Sequence, residues 1–173
     1  MTAEVDYLLE RLEATEAAQP DDHPLVRINR DDSKNVTDDT RDVSVDLTRA
    51  NIVSVGFDSD NPSVRGNEYN VDNVVTCQIR VVGLDHSEYG HVDPAGENGV
   101  PWRDIRDANG DVTQRGLIGQ ITDRIYADRT YPAVPGPDVY HHIEPIDETD
   151  LSSDAGDEHR TVLTVPFKKV QDF

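Results

Sequence analysis

The chain has 173 residues, and its 35 Asp and Glu against 16 Lys and Arg give a formal net charge of −19. That balance excludes a basic face for gripping duplex nucleic acid, because phosphate neutralisation needs clustered Lys and Arg. A single cysteine, Cys77, excludes an intrachain disulfide and a cysteine-rich zinc site.

Only three of the basic residues are lysines, and thirteen are arginines. The acids run from Glu4 to Asp172 and interleave with strand-like apolar segments, which a disordered acidic chain lacks. Concentrated salt screens such charge to within about 3 Å at ~1 M. The composition therefore points to a folded protein built for molar salt, in a haloarchaeal cytoplasm or a particle assembled there. Apolar residues at 35% and aromatics at 6% allow a lean core, and the length suits one domain over 1–173. The acidic start Met1-Thr2-Ala3-Glu4 lacks a signal peptide's basic and apolar regions, and no apolar run nears the ~20 residues of a membrane span. The expectation is a soluble protein of intracellular origin with no membrane partner.

In chain order, residues 1–20 hold a helix over 3–18, capped by Thr2. Its stripe of Val5, Leu8, Leu9 and Leu12 falls at helical spacing, and Pro20 closes it. Residues 21–50 form an acidic hairpin or loop region. It offers a strand at Pro24–Ile28, an Asp-rich stretch over 31–42 and an alternating strand at Val43–Leu47. Asn51–Phe57 alternates with Val53, Val55 and Phe57 on one face, and Asp58–Pro62 reads as a turn. Over 69–82, Val75, Cys77, Ile79 and Val81 face one way while Thr76, Gln78 and Arg80 face the other. Cys77 reads as a small buried hydrophobe.

Residues 83–110 form a long excursion with Gly, Pro and the lone Trp102. A second helix follows, capped by Asp111 or Thr113, with Leu117, Ile118, Ile121 and Ile125 at helical spacing through about Ala127. Tyr131–Pro137 forbids regular structure. Asp138–Ile146 and Arg160–Val170 then pair as strands across the acidic loop Asp147–Glu158. The predicted fold is α+β: an antiparallel sheet packed by an N-terminal and a central helix.

Candidate chemistry is sparse. Asp107-Ala108-Asn109-Gly110-Asp111 opens like a calcium loop but lacks Gly at the sixth position and Glu at the twelfth, so it reads as a turn. In a strand, His142 and Glu144 share a face and His141 points away, so the His141-His142 pair cannot chelate one ion. A metal-dependent enzyme using His86, His91 or His142 is the weakest reading. No nucleophile elbow, phosphate loop or dinucleotide fingerprint occurs, and paired carboxylates cannot be picked out of so many acids. The chain is read as non-enzymatic, with no cofactor and no metal. Trp102 and Tyr89 are either anchors tucking the excursion onto its own domain or contacts on a partner, since Trp is enriched at interface hot spots. Trp102, Tyr89, His91 and Val100 are the candidate interface residues.

The amphipathic start Val5-Asp6-Tyr7-Leu8-Leu9-Glu10-Arg11-Leu12, the strand Tyr69–Val81 leading through a loop into the helix around Leu117–Tyr126, and the closing strand Arg160–Phe167 together resemble tail terminator proteins of long-tailed phages and their haloarchaeal virus relatives. The resemblance spans nearly the whole chain at the level of topology. It implies a virion protein, a hexameric ring capping the tail tube and joining it to the neck. Its partners would be further copies of itself, the tail tube protein and a neck or head-completion protein. DNA would pass through an acidic lumen without being gripped. The alternatives are another neck or minor tail component, or a haloarchaeal cytoplasmic protein binding a ligand or partner in a pocket near Trp102.

Self-repulsion of this size sets a salt dependence. On dilution from about 1 M to about 0.1 M salt, repulsion reaches ~10 Å and the thermal midpoint falls. Melts followed by circular dichroism across that range check this; a midpoint that rises on dilution would overturn the high-salt reading.

Overall fold

The computed structural model describes residues 3–30, 50–64, 70–85, 91–152 and 158–172. In chain order the elements are α1 (Ala3–Arg11), α2 (Glu13–Ala17), β1 (Leu25–Asn29), β2 (Asn51–Val64), β3 (Asn70–Leu84), β4 (Ile105–Arg106), β5 (Val112–Gln114), α3 (Leu117–Tyr126), β6 (Tyr140–Ile143), β7 (Asp147–Asp150) and β8 (Glu158–Asp172). One sheet has the order β1-β2-β3-β8-β6, with β7 also on β8, and β4 and β5 form a separate small hairpin. The fold is α+β.

Period-two alternation sorts the central strands. Val75, Cys77, Ile79 and Val81 of β3 point to one face and are at most 2% exposed. Register extends that face sideways: Ile79 lies between Val55 and Leu163, and Cys77 between Phe57 and Val165. The helices cover it. Val5, Leu8 and Leu12 of the N-terminal helical segment and Leu117, Ile118, Ile121 and Ile125 of α3 are buried in the same cluster as the strand residues. Phe167 of β8 is fully buried, with the rings of Tyr7 and Tyr140 edge-on to it at 5.8 and 5.9 Å.

The structure departs from the sequence reading in several places. β1 runs parallel to β2, from Leu25 beside Asn51 to Asn29 beside Val55, so the sheet is mixed and not antiparallel throughout. Asp58–Pro62 is not a turn. It lies inside β2, which absorbs the break as a bulge between Phe57 and Ser59 and pairs on to Val64 opposite Val71. Pro62 is tolerated because β1 ends beside Val55, leaving β3 as the only described neighbour of β2 at that point. The same bulged edge leaves Phe57 41% exposed while Val53 and Val55 are buried. The expected acidic loop after Asp147 begins as strand β7. The N-terminal helix is interrupted at Leu12, although Leu12 and Glu16 keep the i to i−4 bonds. Thr2, the Asp-rich 31–42, the strand expected at Val43–Leu47, His86 and Tyr89 lie outside the described residues. Among the described residues no helix is long and apolar enough to cross a membrane.

Polar groups fasten α1 to the far end of the chain. Glu4, 7% exposed, accepts a hydrogen bond from the Tyr140 hydroxyl. Lys169, equally buried, bonds Asp138 at 3.0 Å and lies over the Tyr140 ring. The Tyr7 hydroxyl donates to Asp128 Oδ2 at 3.0 Å, and Arg11 donates to the same oxygen at 2.6 Å. Burial, helped by the bond to Asp128, pushes the Tyr7 phenol from 10.0 up to about 12. Burial and the Glu4 bond raise Tyr140 as well.

Between those values the native chain keeps a phenolic proton that the unfolded chain has released. The contribution of Tyr7 is whole below pH 10 and is lost as pH rises through about 12. Denaturant melts should thus show stability falling from pH 10 upward, with a shallower fall in Tyr7→Phe; an unchanged slope in that variant would count against the assignment.

Candidate subunit interface

The excursion expected to reach outward is folded back onto the sheet. Its first half is stitched by the backbone: the N–H groups of His91 and Val92 donate to Leu84, and Asp93 N–H donates to Val100 at 3.0 Å. The Asp93 carboxylate accepts from the N–H groups of Ala95, Glu97 and Asn98, closing the turn between them. Val92 and Val100 are buried as a result.

Trp102 is the anchor. It is 3% exposed, its ring lies 5.5 Å from that of His159, and its indole N–H donates to Thr161 Oγ1 at 3.0 Å. His159 in turn bonds the Asp85 carboxylate, so both ends of the described excursion are tied to the start of β8. The carbonyls of Pro101 and Trp102 accept the N–H groups of Leu117 and Ile118, and Asp104 accepts that of Gly116 at 2.9 Å. These groups satisfy the N-terminus of α3, a service expected of Asp111 or Thr113. The latter two belong instead to the β4–β5 hairpin, whose tip is closed by Asp107 accepting from Asn109 and Asp111 N–H, with Gly110 at φ +85°. Gly116 is required because any Cβ there would overlap the Arg103 backbone.

Of the expected interface residues, Trp102, Val100 and His91 are therefore interior, at 3%, 5% and 9% exposure, and Tyr89 lies outside the described residues. Burial removes those three from the outer surface. Thr161 and His159 stand against the Trp102 ring.

Immediately outside the anchor the chain turns polar. A groove of about 300 Å³ lies between the β4–β5 hairpin, α3 and β7, lined by Arg103, Arg106, Arg115, Asp104, Thr122 and Glu148 among others. Arg103 bonds Glu148 and lies 3.3 Å from Asp150; Arg115 lies 2.5 Å from Asp104 and 2.8 Å from Asp123. Arg106 reaches the Gly110 carbonyl at 2.8 Å. Bonds from Ser152, with Arg103 beside it, hold the Asp150 carboxyl below its ordinary value, and the bond to Asp104 raises Arg115. The Arg103 and Arg115 side chains remain nearly half exposed. A guanidinium carries five donors, so each retains capacity toward solvent. Sequence reading missed this set. Its one visible signal was the preference for Arg over Lys, which favours forked recognition of carboxylates.

A second hollow, of about 500 Å³, lies at the β6 edge between Arg129–Tyr131 and His141–Pro145. Tyr131 holds φ 50°, its N–H donates to the His141 carbonyl, and its ring is 67% exposed. His142 and Glu144 share a face as expected, with Nε2 3.1 Å from Oε1. Among the described residues no three His, Cys, Asp or Glu side chains gather as a metal cluster. Compared with known protein families and with curated proteins, the chain matches none.

Trp102→Phe removes the indole donor and leaves the Thr161 hydroxyl, at 0% exposure, without it. The expected loss is about 1–3 kcal/mol. Trp102→Phe with Thr161→Val, which removes both partners, should recover part of it. Denaturant melts of the double-mutant cycle read the coupling; additive losses would remove the anchor role.

Proposed function

We propose that the chain is a structural virion protein: the subunit of a ring, hexameric by the resemblance, that ends the tail tube and joins it to the neck of a halophilic tailed virus. The observation that carries this reading is the arginine groove. A copy of charge −19 repels another copy, and contact requires places where one copy's carboxylates meet cations of the next. Arg103, Arg106 and Arg115 gather three of the thirteen arginines around one groove, next to buried Trp102 in sequence. Arg is enriched at interfaces, and rims of this kind are polar and wet.

The sheet supports the same reading. β2, β3 and β8 keep pairing past the row of Asn73 and Lys169, to Val64 opposite Val71 and Asn70 opposite Asp172, so a ribbon of backbone continues beyond the last row that β6 reaches. A cyclic ring of more than two copies is built from heterologous contacts, which need two different faces, one to give and one to receive. The Tyr131 hollow favours the second reading, a small-ligand or partner-binding protein of a haloarchaeal cytoplasm.

At molar salt the purified protein should form closed rings visible by negative stain, with a mass near six copies by light scattering. It should also cap polymers of the tube protein. Arg103→Ala with Arg106→Ala should shift the population toward monomer while leaving the thermal midpoint near the parent value, because exposed pairs add little to stability. A strict monomer that ignores the tube protein would overturn the proposal.

A further inference from the structure

The hollow at the β6 edge is framed by backbone. Ile143 N–H donates to the Arg129 carbonyl at 2.7 Å and Tyr131 N–H to the His141 carbonyl at 2.9 Å. Residues 129–131 thus lie along β6 as a short antiparallel strap, with Thr130 bridged to His142. Beyond the strap the chain is pinned again by buried Pro132 and Val134. Tyr131 is thereby fixed between two anchored segments. Among the described residues it is the only non-glycine with positive φ, at 50°, and its 67% exposure is the highest of the large apolar side chains. A bulky residue is strained in that region, and an exposed ring recovers little of the cost by burial. Strain kept for an exposed ring points to a use outside the fold.

Arg129 is the second unusual group lining the hollow. In a chain of 35 acids its guanidinium makes no ion pair or hydrogen bond among the described residues. The nearest acid in sequence, Asp128, is already taken by Tyr7 and Arg11 through the same oxygen. We infer that the hollow is a binding site for a small aromatic monocarboxylate, its carboxylate on Arg129 and its ring beside Tyr131 and His141.

The chemistry of the lining selects that class. A guanidinium presents a planar fork that meets a carboxylate through two parallel N–H···O bonds. The Tyr131 and His141 rings stand 6.0 Å apart at a tilt of 43°, a paired wall against which a third ring can stack or pack edge-on. Ile143, 3% exposed, adds an apolar patch to the lining. Glu144, the one carboxylate among the lining residues, is engaged by His142 Nε2 at 3.1 Å. Its charge opposes a second anionic group, which favours a monocarboxylate over a diacid or a phosphate. The volume of about 500 Å³ lies within the range of small-molecule sites. The hollow shares no lining residue with the arginine groove, so the inference stands apart from the ring proposal.

Benzoate is the probe. Ligand-observed NMR and calorimetry on the full chain at molar salt should show saturable binding at one site per chain. Benzamide, the ring without the charge, should bind about tenfold more weakly. Cyclohexanecarboxylate, the charge without the planar ring, should bind about threefold more weakly. Arg129→Gln should lose about tenfold in affinity for benzoate and leave benzamide unchanged. Tyr131→Asn should weaken benzoate about threefold while its thermal midpoint stays at or above the parent's, because Asn enters the left-handed region more readily. A tyrosine placed for the fold alone would lower the midpoint when replaced and leave affinity untouched. Arg103→Ala, outside the hollow, should leave binding as it is. Absence of saturable benzoate binding, equal binding of the three probes, or an Arg129→Gln variant that binds benzoate like the parent overturns the inference. A monomer that binds benzoate would remove the ring and keep this site; a ring that ignores benzoate would do the reverse.

Discussion

Strand β8 is the constraint on which the other parts depend. It pairs with β3 along all fifteen of its residues, and its opposite edge carries β7 and then β6. Alternate residues on its covered face each serve a different layer. Thr161 receives the Trp102 indole, Leu163 and Val165 fill the centre, Phe167 sits against Tyr7 and Tyr140, and Lys169 answers Asp138. A slip of one residue would send all five to the opposite face. The register of one C-terminal strand thereby sets the excursion, the helical layer and the β6 edge together. It also joins α1 to residues more than 150 positions later, through Tyr7 and Phe167. Such contacts are costly in loop entropy until the strand arrives.

What was legible in the sequence is what local periodicity decides. Val75 to Val81, Thr161 to Phe167, Val5 to Leu12 and Leu117 to Ile125 each announce a buried face, and each is buried. The direction of β1 carries no such signal, because alternation is the same for parallel and antiparallel neighbours. Asp58–Pro62 has turn composition, yet a bulge and an accepting partner in β3 outweigh local preference, as context does for strands generally. β7 reads Asp-Glu-Thr-Asp and is exposed throughout, so it has no apolar face to betray it. It is held by its backbone bonds to β8.

The candidate sites were hidden for a different reason. Trp102 was recognisable as important, but anchor and contact make the same demand on a sequence, and Thr161 settles the matter from 59 residues away. Tyr131 and His141 are brought together by backbone pairing along β6, which no side-chain pattern announces. Arg103, Arg106 and Arg115 look scattered until the β4–β5 hairpin folds them around the start of α3. Close backbone approach, visible at Gly116, is what brings these segments together.

The arginines also give the acidity a structural meaning beyond solvent. Exposed ion pairs contribute about 0–1 kcal/mol at best, so the groove's pairs do not hold the fold together. They hold guanidinium groups in place. Arg103 spans two carboxylates of β7, and Arg115 spans Asp104 and Asp123. Contacts at 2.5–3.3 Å also survive a screening length of about 3 Å, whereas longer-range repulsion between copies does not. Molar salt thus erases the charge that keeps copies apart while sparing the short forked contacts that an incoming carboxylate can join. A lysine, a hydrated point charge with three donors, is poorly suited to bracing two local acids while receiving a third. If the proposed ring forms, thirteen arginines beside three lysines is a composition that reconciles solubility with contact.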